Sequence, residues 1–133
     1  MRILHPLVLS LALATPALAL EPLAEEAFIN DSLRAGRIGD VIRKTCPTIE
    51  ARMFVVWSKL EELKRYARDK GYSEDEVRAF LKDPGQKARI KAEAAEYLKA
   101  AGAVEGDAES YCKVGRDEIA KGSLIGSLLR DRS

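Results

Sequence analysis

Two cysteines, one histidine and three groups of carboxylates are the residues of this 133-residue chain with the most chemistry open to them. Cys46 and Cys112 stand 66 positions apart. Redox-active pairs usually sit close together, as in Cys-x-x-Cys, so this spacing favours a structural disulfide over a catalytic pair or two free thiols. An even cysteine count in an exported chain points the same way, because disulfides persist in oxidising compartments. In the chain-entropy model such a bridge restricts the unfolded state by roughly 4 kcal/mol. The acids fall at Glu25/Glu26, Glu74/Asp75/Glu76 and Glu105/Asp107/Glu109. Paired carboxylates can share acid and base work. The third group brackets Gly106 in faint likeness to a calcium loop, without the length or the closing bidentate glutamate of an EF-hand. The second and third groups fall where helices should begin, so capping is preferred to metal binding.

The N-terminus predicts removal of the histidine. Arg2, an apolar stretch over 7–13, Pro16 and then Ala17-Leu18-Ala19 have the form of a signal peptide spanning 1–19, cleaved after Ala19. The apolar run falls short of the ~20 residues that span a bilayer, so cleavage is preferred to a retained anchor. The only histidine, His5, leaves with this leader, and the loss of Arg2 leaves equal numbers of basic and acidic residues. Without imidazole there is no Ser-His-Asp or Cys-His pair. Zinc sites using histidine are excluded, and two distant cysteines cannot build a four-thiolate site. Neither a haem-attachment motif nor a glycine-rich phosphate loop is present. A balanced charge disfavours nucleic acid as a partner. No catalytic residue, cofactor or metal is therefore assigned, and a carboxylate-based hydrolase ranks third among the functions considered.

The elements that must position these residues are helical. The composition, 47% hydrophobic and 32% charged with only 6% aromatic, suits a folded chain built from helices rather than strands. The spacing predicts an all-α fold: one domain over 20–133, a compact bundle of about five short helices stapled by the Cys46–Cys112 bridge. The first helix covers 25–44, with a bend or break expected near Gly36. The second begins at Pro47 and carries Ile49, Met53, Val56, Trp57, Leu60, Leu63 and Ala67 at helical spacing. Gly71 ends it. Met53 and Trp57 are candidates for the core or for a ligand groove, with core preferred for Trp57. Phe54 falls off that face. Ser73 and Glu76 form a capping box, Asp83-Pro84 begins a fourth helix, and Asp107 caps a fifth. The tail over 123–133 holds Leu124, Ile125, Leu128 and Leu129. Docking on the chain's own core is its plainer reading. A partner-binding surface is the sharper one, and Lys121, Arg130 and Arg132 would assist membrane-surface contact. No segment of the processed chain is expected to span a membrane.

Three motifs carry a family resemblance: Cys46 with Ile49-Glu50-Ala51-Arg52-Met53; Gly71-Tyr72-Ser73; and Gly115-Arg116-Asp117-Glu118-Ile119-Ala120-Lys121-Gly122-Ser123 running into Ile125-Gly126. Through them the chain resembles an uncharacterised family of small, exported, two-cysteine helical bacterial proteins, defined only as a domain of unknown function. The resemblance implies export and the two-cysteine helical body, and no activity. A looser likeness to periplasmic acid-stress chaperones lies in size and architecture alone. The expectation is a non-enzymatic interaction protein of the periplasm, or secreted, whose partner is another periplasmic or envelope protein. The alternative is a small-ligand-binding or chaperone-like helical protein.

Overall fold

Ala35, Ile38 and Ile42 lie along one side of a single helix, α1 (Ala27–Thr45), and are buried in one core cluster, while Ile29, also buried, faces a second. The structure, a computed model, describes residues 20–133, and the leader expected at 1–19 lies outside them. The helices over Met53–Lys70, Pro84–Ala100, Ala108–Lys121 and Leu124–Ser127 all pack on α1. The helix runs unbroken through Gly36 and Gly39, against the break into two shorter helices considered near Gly36. Each glycine costs ~1 kcal/mol relative to alanine, but the apolar side chains buried around them outweigh that propensity.

The predicted punctuation is present. α2 (Met53–Lys70) ends at Gly71 with φ +106°, a left-handed cap that favours glycine. Ser73 and Glu76 close a reciprocal capping box on α3 (Glu74–Lys82). Asp83 accepts from the Gln86 N–H at 2.9 Å to start α4 (Pro84–Ala100). Asp107 accepts from the Ser110 N–H at the start of α5 (Ala108–Lys121). Ser123 begins one more short helix, α6 (Leu124–Ser127), accepting from the Gly126 N–H at 3.0 Å.

The start of the second helix is corrected. Pro47 lies in a turn, and Ile49–Ala51 form a strand, β1, before α2 begins at Met53. β1 pairs antiparallel with β2 (Leu129–Asp131), in the register Ile49↔Asp131, Glu50↔Arg130 and Ala51↔Leu129. Three residues are too few to show alternation, and Ile49 also fits the helical spacing of Met53 and Val56. The strand exists because a partner far along the chain supplies its hydrogen bonds.

Cys46 and Cys112 form a disulfide with α-carbons 5.1 Å apart, joining the end of α1 to α5. It sits in the larger of two core clusters, with Ile38, Ile42, Ile49, Leu98 and Leu129. α5 approaches closely because Gly115 is bare: a β-carbon there would stand 2.4 Å from Ile49 Cδ1 and 2.9 Å from Ile42 Cγ2. Gly126 likewise lets α6 press on α5, since its β-carbon would meet the Glu118 carbonyl oxygen at 2.0 Å. The second cluster joins Ile29, Leu63, Ala67 and Tyr72.

Two carboxylates are buried and both are partnered. Glu118, 1% exposed, accepts from Tyr97 Oη at 2.6 Å, Ser123 Oγ at 2.5 Å and Lys121 Nζ at 3.1 Å. Burial pushes its carboxyl up, but these hydrogen bonds outweigh that and hold it below its ordinary value. Glu26 accepts from Tyr66 Oη at 2.5 Å, a bond that raises the phenol to about 12.

Candidate functional site

The apolar stripe of α2 is covered along only half its length. Leu63 and Ala67 are buried in the second cluster against Ile29 and Tyr72. Met53, Trp57 and Leu60 lie on the same face, one to three turns earlier, and all three are exposed. Met53 is 57% exposed, Trp57 68% and the neighbouring Phe54 92%. The core reading of Met53 and Trp57 is thereby corrected. The disulfide and the β1–β2 ladder draw the chain together just before α2, and this helix then leaves the body with its first turns uncovered.

A groove adjoins this bare half. α1 contributes Phe28, Leu33 and Gly36, α2 contributes Val56, Leu60 and Leu63, and α6 and its end contribute Leu124 and Leu128. Its volume is about 300 Å³ and its wall is mostly apolar. Gly36 leaves the floor open, since a β-carbon there would meet nothing within 4 Å. The Phe28 ring packs 4.4 Å from that of Tyr66, which is fixed in turn by its bond to Glu26. Met53 and Trp57 do not line this groove; they extend the apolar surface beyond its rim.

The tail is divided between core and surface. Ile125, Leu128 and Leu129 are buried, so they do not form the partner surface expected of them. The strand pairing of β2 and the close approach at Gly126 seat this segment on α1 and α5. Leu124, 37% exposed, and the buried Leu128 are the tail residues that line the groove.

The acidic groups act locally. Glu74, Asp75 and Glu76 occupy the first turn of α3, and Asp107 caps α5. Glu109 pairs with Arg116. Among the described residues, no group of three or more His, Cys, Asp or Glu is arranged to hold a metal, and no helix is long and apolar enough to cross a membrane. Phe28, Gly36 and Leu60 went unnoticed as site residues. Phe54, off the main face of α2, was the one sequence signal of an uncovered surface.

A family model described as a family of unknown function, DUF5333, matches residues 21–130. No curated protein and no solved structure matches the chain.

Proposed function

As the chain belongs to the family of unknown function DUF5333, whose description assigns no activity, we propose a role from its own surface: a non-enzymatic interaction protein of the periplasm or another extracytoplasmic space. The observation that carries this reading is the bare N-terminal half of α2, where Met53, Phe54 and Trp57 are exposed beside an apolar groove. Aromatic side chains and methionine are enriched in the buried centres of protein interfaces. Contiguous exposed apolar surface on a folded body marks a binding site more often than chance placement does. The partner is an apolar or amphipathic segment of an envelope protein, laid along α2 with its anchor in the groove.

The disulfide supports the compartment. Both sulfurs are buried in the core, and a bridge of this kind forms and persists where thiols are not kept reduced.

Affinity capture from an envelope extract tests the function. A partner held by the wild-type chain and lost with Phe54→Ser/Trp57→Ser supports it. Equal capture by both chains, or capture by neither, overturns it.

A further inference from the structure

Among the described residues one buried side-chain polar atom has no hydrogen-bond partner, the Nε of Arg37. Such an orphan donor is costly, and in folded proteins it calls for an explanation. Arg37 lies on the side of α1 that faces α4, away from the bare half of α2. It lines a groove of about 670 Å³ between α1, α4 and the loop that follows α4. Lys91 and Lys99 of α4 line the same groove, and among the described residues none of these three cations is ion-paired. The one carboxylate on the lining is the exposed Glu105, so positive charge is in excess there. The remaining wall is apolar and aromatic, from Val41, Leu98, Ala103, Val104 and Tyr111.

We propose that this groove binds a small anionic amphiphile: a carboxylate or phosphate head taken by Arg37, Lys91 and Lys99, with an apolar body against Val41, Leu98 and Tyr111. The guanidinium presents a fork of donors that matches either head, and the excess of positive charge on the lining favours an anion there. Few polar groups on a largely apolar wall is the usual make-up of a small-molecule site. Arg37 and Lys91 also line the adjoining groove with Phe80, Leu81 and Ile90, so a longer body has apolar wall on either side of the head. This site is separate from the α2 surface and goes beyond the proposed function.

Calorimetric titration of the oxidised chain with dodecanoate, dodecyl phosphate, dodecanol and inorganic phosphate tests it. Both anionic amphiphiles are expected to bind as monomers, roughly tenfold or more tighter than dodecanol and than phosphate alone. Arg37→Gln is expected to weaken them by a similar factor. Lys91→Glu/Lys99→Glu, two exposed positions whose change spares the fold, is expected to do the same. Phe54→Ser/Trp57→Ser is expected to bind like the wild type, which separates this proposal from the α2 surface. Equal binding of dodecanol and dodecanoate, phosphate alone binding as tightly as dodecyl phosphate (an inorganic-anion site), charge variants that bind unchanged, or no binding by the wild type would each overturn it.

Discussion

Glu50 and Arg130 face each other across the β1–β2 ladder, 80 residues apart in sequence, with Arg130 Nε donating to Glu50 Oε1 at 2.9 Å. The ladder continues past both strands through Arg52 N–H to the Leu128 carbonyl and Arg132 N–H to the Thr48 carbonyl, each at 2.8 Å. Cys46, four positions before Glu50, is tied to Cys112. Two long-range ties therefore meet in the stretch between α1 and α2. They fasten α5 and the tail to the stretch between α1 and α2 and leave Met53, Phe54 and Trp57 of α2 exposed.

The disulfide should dominate the stability of this body. Cys46→Ser/Cys112→Ser is expected to lower the unfolding free energy by roughly 2–4 kcal/mol, seen as a lower urea midpoint. A midpoint unchanged from the oxidised wild type would show that the bridge constrains little.

Two glycines should respond in opposite senses to alanine. Gly126→Ala drives a β-carbon into the Glu118 backbone and is expected to cost about 1–3 kcal/mol or more. Gly36→Ala meets open space in a helix interior and should stabilise by up to ~1 kcal/mol. Thermal melts of both variants decide the matter, and loss of stability in both would place Gly36 wrongly.

Glu118 should give the fold an acid limit. Its carboxyl is held below the ordinary 4.5, so the native state binds fewer protons there than the unfolded chain. Its contribution is present above 4.5 and is lost as pH falls through the lowered value. Asp40 and Glu50 are lowered too, so Glu118→Gln removes only part of the acid slope. It is expected to cost roughly 1–3 kcal/mol at neutral pH, because Tyr97 and Ser123 lose their charged acceptor. Denaturant unfolding as a function of pH measures both effects, and an acid slope identical to the wild type contradicts the assignment.

Tyr66 should act at the alkaline end. Its phenol, raised from 10.0 to about 12 chiefly by the bond to Glu26, keeps its proton longer folded than unfolded. That contribution is complete below 10 and fades as pH rises towards 12. Tyr66→Phe should flatten the alkaline decline in stability, and spectrophotometric titration should show one fewer late-ionising phenol.

The helical layout was legible because its signals are local. Ser73 with Glu76, Asp83 with Pro84, and Gly71 each act within one turn, so spacing alone places them. The disulfide was legible from the expected export and the even cysteine count. The strands were not, because Ile49 keeps helical spacing with Met53 and its real partner is Asp131, far along the chain. The exposure of Trp57 was hidden for a related reason. Its face is continuous with Leu63 and Ala67, and periodicity marks an apolar face without showing which half the body covers. The tail's leucines had two uses open to them, and Gly126, which lets them dock, acts through the backbone of Glu118 and Ile119.

Site-specific photo-crosslinking in intact cells bears most directly on the role of the bare α2 face. A photoreactive side chain at position 57 is compared with one at Lys113, an exposed position on α5. A discrete adduct of higher mass at position 57, absent at 113 and abolished by Phe54→Ser, is the outcome expected of a dedicated interaction surface. No adduct at 57, or the same pattern at both positions, would mean that the exposed aromatics of α2 do not recognise a partner.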